Sequence, residues 1–347
     1  MSIQSETIEA YSVGDEEQIL ELMWTVFGIK KSRELWAWQF TGNEQGNAWI
    51  TLAKTGEVLT GHYATIRFDL NLKGKRVFAG ESCDLMVRSD QQGKGLFSRL
   101  ARENFESARR DGMKAVIGFP NRNSYPNFVR NLGWSRIATL KCYSFRTGLQ
   151  KFIGIPADSV IGYMRRVVSS AGVKILKKIS KKRINIVSTE NIPENLDNFL
   201  RECRDYEVVS LWKDVPYLKW RYAEHPLNHY AFHTMTVDGR VTAFAVTRDC
   251  GDVTALCEIF HCMKDVTETS LFLRCLVHRT IVERKSKIVF YGFDNGFFDA
   301  AFIAAGFKVV PTSHFMLCGE VFEDGQLASE FRQPQNWTVS YGDMDIV

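Results

Sequence analysis

Apolar positions along this chain switch between a period of two and a period of about three and a half, and the switches mark its elements. The clearest succession runs from residue 80 to 134. Glu81 to Val87 reads as a strand, followed by the polar turn Arg88-Ser89-Asp90-Gln91-Gln92-Gly93-Lys94-Gly95. Phe97, Leu100, Ala101, Phe105 and Ala108 then recur at helical spacing. Arg99, Arg102, Glu103, Glu106, Arg109 and Arg110 occupy the opposite face. Gly112 is a natural stop, and Ala115 to Phe119 reads as a short buried strand. The order is strand, loop, helix, strand, helix.

The same kind of pattern occurs twice. Leu35-Trp36-Ala37-Trp38-Gln39-Phe40 precedes a turn at Gly56 and a strand at Tyr63 to Phe68; Tyr217-Leu218-Lys219-Trp220-Arg221-Tyr222 precedes a turn at Gly239 and a strand at Ala243 to Val246. Trp38 stands 18 residues before Gly56, and Trp220 stands 19 before Gly239. Further on, Val116-Ile117-Gly118-Phe119-Pro120-Asn121 leads to Gly133-Trp134, and Phe290-Tyr291-Gly292-Phe293-Asp294-Asn295 leads to Gly306-Phe307. Two matched segments in one order imply an internal duplication. The alternative is two unrelated α/β domains with similar turns. Packing is the simplest use for Trp36, Trp38, Trp134 and Trp220.

Length fits two domains: the chain has 347 residues, of which 45% are hydrophobic and 24% charged. A formal charge of +4 carries no nucleic-acid signature. The chain shows no secretory signal and no apolar stretch long enough to span a bilayer. Its eight cysteines form no Cys-x-x-Cys pair and read as reduced residues of a cytoplasmic protein. Cys257, His261 and Cys262 lack a second ligand cluster, so no metal site is expected. From Arg165 to Arg183 there are eight basic residues and no acid. This run predicts a basic, partly amphipathic linker helix, packed between the halves or offering a positive rim to a phosphorylated substrate or an anionic membrane surface.

A glycine-bearing turn between a strand and a helix lets backbone N–H groups crowd round an anion, and the helix N-terminus adds its dipole. With Gln92-x-x-Gly95-x-Phe97, and Asn123 ten residues before Gly133-Trp134, the segment resembles the acyl-coenzyme A-binding core of the GNAT superfamily. Phe97 departs from the small third residue of that family's loop. The resemblance implies an α/β fold of two tandem GNAT-like domains. Each has a mixed, splayed central sheet flanked by helices, and the second is degenerate because the corresponding stretch from Glu258 to Thr269 holds no glycine. It implies residues 1–150 as the acyl-CoA-binding domain, 151–185 as the linker, and 186–347 as an acceptor-binding or structural domain.

The resemblance further implies that Gln92, Gly93, Lys94, Gly95, Leu96, Phe97 and Asn123 hold the coenzyme. The N–H of Met86 or Val87 then polarises the thioester carbonyl, and the amine attacks directly. The family's usual acid is a Tyr four residues before the Gly-aromatic pair, where this chain has Val129. Tyr125, one turn earlier, is the substitute candidate. Asp84 is the favoured base, with Glu81 and His62 as further candidates. The implied reaction is transfer from acetyl-CoA or a short hydroxyacyl-CoA, without a metal, to a small-molecule amine acceptor. A nucleotide-linked (dTDP-type) amino sugar for surface polysaccharide is the leading acceptor. An aminoglycoside or polyamine acetyltransferase, or a non-catalytic acyl-CoA sensor, is the alternative.

Overall fold

The computed structural model describes residues 6–148, 183–262 and 265–344. All of the basic run but Arg183 lies outside the described residues, and so does the linker helix expected there. The first half contains β1 (Glu6–Ala10), α1 (Glu16–Phe27), α2 (Arg33–Phe40), β2 (Trp49–Thr55), β3 (Val58–Leu72), β4 (Lys75–Val87), α3 (Leu96–Arg110), β5 (Ala115–Gly118), α4 (Tyr125–Leu132) and β6 (Ser135–Arg146). The second contains β7 (Ile184–Thr189), α5 (Asp197–Tyr206), β8 (Val209–Leu211), α6 (Val215–Leu218), β9 (Tyr230–Val237), β10 (Arg240–Cys250), β11 (Val253–His261), α7 (Val266–Val282), β12 (Lys287–Gly292), α8 (Phe297–Ala305), β13 (Lys308–Val321) and α9 (Gln326–Phe331).

The strand, helix and strand read between residues 81 and 119 fall in β4, α3 and β5. Helix α3 buries Leu96, Leu100, Ala101, Phe105 and Ala108, as its spacing requires. It also buries Asn104, whose side chain donates to the Trp49 carbonyl at 2.8 Å and accepts from Thr65 at 2.6 Å. A buried amide must find such partners, and here they fix the helix to β2 and β3. Gly61 on β3 permits the close approach: a Cβ there would stand 2.7 Å from Leu100.

The thirteen described strands lie in one sheet; twelve follow the order β1-β2-β3-β4-β5-β13-β6-β12-β11-β10-β9-β7, and β8 pairs with β3 off this path. The halves exchange their last strands. β13 pairs antiparallel with β5 (Cys318 opposite Gly118), and β6 pairs antiparallel with β12 (Tyr143 opposite Phe290). β6 and β13 also pair with each other at the centre. In each half the inner strand pair is parallel and short. β4 follows β5 only from Ala79 to Glu81, and β11 follows β12 only from Val253 to Leu256. β4 continues to Val87 and β11 to His261, so each sheet splays open.

One apolar cluster joins the halves, bringing Ile19, Trp36 and Phe40 together with Leu200, Trp220, Phe232 and Trp337. Separate clusters lie under α3 and α4, and under α7 and α8. The duplication surfaces as a symmetric contact. Trp38 and Trp220, counterparts in the repeat, stack at 5.2 Å between ring centroids. Each indole N–H donates to the other residue's carbonyl, at 2.9 and 3.1 Å. Such self-complementary pairing is the mark of a two-fold relation. Among the described residues no helix is long and apolar enough to cross a membrane.

The Trp pair should matter for the whole fold. Trp220→Ala removes a buried ring and leaves the Trp38 carbonyl unpaired. It is expected to cost about 3–5 kcal/mol of unfolding free energy, measured by urea denaturation.

Candidate active site

The open end of β4 is built around a bulge. His62 on β3 faces Met86, and Ala64 faces Cys83, so Asp84 and Leu85 together oppose Tyr63. Asp84 takes a left-handed backbone, with φ of +44°. Beyond the bulge the Arg88 N–H donates to the Thr60 carbonyl at 3.0 Å. Opposed residues in an antiparallel ladder alternate between bonded and non-bonded pairs. Val87, opposite Gly61, is therefore in a non-bonded pair, and its N–H turns away from β3 into the gap left by β5. Met86, opposite His62, is in a bonded pair, and its N–H turns toward β3.

The turn after β4 presents further N–H groups to the same gap. Gly93 and Gly95 both have φ of +75°, and nothing lies within 4 Å of a Cβ built on either. Gly95 is the N-cap of α3, and the first bond within that helix runs from the Arg99 N–H to the Gly95 carbonyl. The N–H groups of Leu96, Phe97 and Ser98 thus precede the helical ladder, at the positive end of its dipole. Gln92 and Lys94 are exposed, and the Gln92 amide donates to the Val87 carbonyl at 3.2 Å. Phe97 packs edge-on against Phe128 of α4, 5.5 Å between centroids, which gives its large ring a place. Asn123 is exposed just before α4. Tyr125 opens that helix, partly buried against the cluster under α3, with Val129 one turn further on the same face.

The other candidates lie across the sheet, on the side of α1 and α2. Asp84 accepts from Lys31 Nζ at 2.6 Å, and the same ammonium donates to Gln39 at 2.5 Å. Both members of the ion pair are largely shielded, with side-chain exposures of 11% and 16%. His62 is fully buried, and its Nδ1 lies 2.7 Å from the Asp84 carbonyl oxygen. Burial pushes its pKa down to about 4, so the ring is neutral.

Glu81 lines a narrow cleft between the halves, together with Gln39, Tyr217, Trp220, Arg221 and Asp343. Arg221 is held from behind, donating to the Gly342 carbonyl at 3.1 Å and to that of Met344. Asp343 contacts Lys213 at 2.5 Å, and Lys213 contacts Glu258 at 2.7 Å, all three buried. Burial, reinforced by the nearby Glu258 charge, raises the Asp343 pKa to about 7, against the pull of Lys213. Lys31, Gln39, Arg221 and Asp343 escaped the sequence reading. Arg221 had a signal, since the repeat places it opposite Gln39. Glu258 had another, as a charge inside the apolar run Ala255–Phe260.

The gap of the second half is filled from within the chain. The Phe293 N–H donates to the Val339 carbonyl at 3.0 Å, the Val339 N–H returns a bond at 2.8 Å, and the turn at Tyr341–Asp343 follows. Gly342 passes so close that a Cβ there would stand 1.9 Å from the Tyr222 hydroxyl and 2.6 Å from Glu258. The segment from Val339 to Asp343 thus packs against the ends of β11 and β12. Among the described residues no group of three or more His, Cys, Asp or Glu side chains is arranged to hold a metal ion.

This geometry can be set beside known proteins. A search of curated protein sequences returns no match. Several solved structures share the fold over nearly the whole chain. A GCN5-related N-acetyltransferase from Kribbella flavida superposes with a TM-score of 0.62 at 12% identity, covering 92% of this chain and 71% of that one. A GCN5-related N-acetyltransferase from Anabaena variabilis gives 0.63 at 9% identity, covering 92% and 73%. N-myristoyltransferase from Saccharomyces cerevisiae, solved with bound myristoyl-CoA, gives 0.57 at 12%, covering 92% and 83%. Residues 7–137, which hold the bulge, the glycine turn and all of α4, match the sequence model of the acetyltransferase (GNAT) domain, and that segment is a domain of this kind.

Proposed function

We propose that the protein transfers an acyl group from acyl-coenzyme A to the primary amine of a nucleotide-linked amino sugar, by direct attack of the amine on the thioester. The observation that carries this reading is the parting of β4 from β5 after Glu81, beside the glycine-capped N-terminus of α3. Residues 1–150 supply the coenzyme site. The amides from Gly93 to Ser98 take the pyrophosphate, with Gln92, Lys94 and Asn123 at its rim. The pantetheine arm enters the gap, and the Val87 N–H meets the thioester oxygen. Negative charge develops on that oxygen during attack, so a fixed donor there lowers the barrier.

The acceptor enters the cleft formed with residues 186–347. Glu81 lines that cleft, whereas Asp84 is not among its lining residues and faces Lys31. The proposed base therefore moves from Asp84 to Glu81, acting directly or through water. Tyr125 or water returns a proton to the departing thiolate. Trp220 and Tyr217 offer apolar faces to a sugar ring, and Arg221 a cation to its polar substituents. The carboxylates of Glu81 and Asp343 in the same cleft favour a second acceptor class, a cationic aminoglycoside or polyamine.

Thiol release separates these readings. Acetyl-CoA or 3-hydroxybutyryl-CoA is mixed with a dTDP-amino sugar, an aminoglycoside or a polyamine. Release that requires the amino sugar supports the leading proposal, and release with the other amines moves the acceptor to the second class. Tight acyl-CoA binding without turnover on any amine makes the protein a sensor.

Two variants probe the assignments. Glu81→Gln is expected to lower kcat by about a hundredfold while acyl-CoA affinity stays the same by calorimetry. Gly95→Val forces a β-branched residue into a left-handed backbone and is expected to weaken acyl-CoA binding about tenfold or more in the same assay.

A further inference from the structure

Two unfavourable features meet at one point of β4. The first is Asp84 itself, a non-glycine residue at φ of +44° in the middle of a strand. The Cβ crowds the backbone in that region, so such residues persist only where their surroundings hold them. The second is His62. It is fully buried, and among the described residues its Nε2 has no hydrogen-bond partner. A leucine or phenylalanine in that space, beside the Phe40 ring, would carry no orphaned polar atom.

The contact that accounts for the imidazole is the one from Nδ1 to the Asp84 carbonyl oxygen at 2.7 Å. A carbonyl oxygen only accepts. Nδ1 therefore carries the hydrogen, and Nε2 is left with the lone pair. The ring spends its one N–H on the backbone of the bulge. The bulge in turn decides which way the following residues face. With two residues opposite Tyr63, Met86 turns into the core between the halves, while Leu85 and Val87 border the cluster under α3. Without the extra residue each of these assignments reverses, because facing on a strand alternates with every position.

We propose that His62 is a positioning residue: its Nδ1–H, donated to the Asp84 carbonyl, locks the β4 bulge so that the Val87 N–H faces the gap and the Asp84 side chain faces Lys31. This rests on the reading of the gap as the thioester site. His62 touches neither substrate and exchanges no proton in the reaction. Burial of the neutral ring agrees with that role.

The test uses the full chain and three variants. His62→Leu fills the space without a donor. His62→Asn places an amide N–H where Nδ1 stands. His62→Gln places its amide near the Nε2 position and serves as the donorless variant if Leu does not fold. Two quantities are read: kcat at saturating acyl-CoA and amine, beside the acyl-CoA Kd, and hydrogen exchange at the Met86 and Arg88 amides, which turn toward β3. The donorless variant is expected to lose about tenfold or more in kcat, with Kd within about threefold, and to exchange those amides about tenfold faster. His62→Asn is expected to recover kcat to within about fivefold, together with the protection. The proposal is overturned if the donorless variant keeps wild-type kcat and protection, or if Asn fails as badly as Leu or Gln. If wild-type protein binds acyl-CoA but acylates no amine, the acyltransferase reading falls, and the exchange measurement alone decides the clamp.

Discussion

A backbone N–H or C=O cut off from water needs a partner, and this requirement organises the molecule. Each half ends its parallel run on a short strand whose outer edge would otherwise be bare. Each solves this with the other's last strand: β13 covers β5, β6 covers β12, and the two covering strands pair with each other. The sheet therefore has no free edge at its middle. The two gaps, where pairing lapses on purpose, stand out as the places where main-chain groups remain available. One gap is left open beside a helix N-terminus. The other is closed by the segment around Val339.

This asymmetry gives the duplication its use. The first half keeps glycines at 93 and 95, which adopt the backbone that an anion-wrapping turn requires. The second half has converted its equivalent space into a buried network of Lys213, Glu258, Tyr222 and Asp343. Charges removed from water are stable only when paired and hydrogen-bonded, and here each member has a partner. The network reaches the cleft that Glu81 lines through Asp343, so the second half shapes that cleft while its own gap is closed.

Much of this was legible in the residues. Helical spacing found α3, and the glycine positions found the turns at Gly56 and Gly239 and the stop at Gly112, because these features depend on neighbours a few residues away. The repeat found Trp38 and Trp220 as counterparts, although not that they touch. The strand exchange was not legible. Pairing between strands more than a hundred residues apart leaves no periodic trace, and β6 reads the same beside β5 as beside β12. The Lys31 contact with Asp84 was hidden for a similar reason: a loop lysine carries no pattern that names its partner. Asn104 sits at a core position of α3, yet only the structure reveals Trp49 and Thr65 as the groups that make an amide tolerable there.

The placement of β13 also bears on how the polypeptide is made. Synthesis runs from the amino end, so β5 emerges about two hundred residues before the strand that covers it. Throughout that interval the nascent first half exposes an unpaired strand edge next to its glycine turn, a surface prone to pairing with the wrong chain. Completion of the first half's sheet therefore waits on the synthesis of β13. The two repeats must reach their native arrangement together rather than in turn.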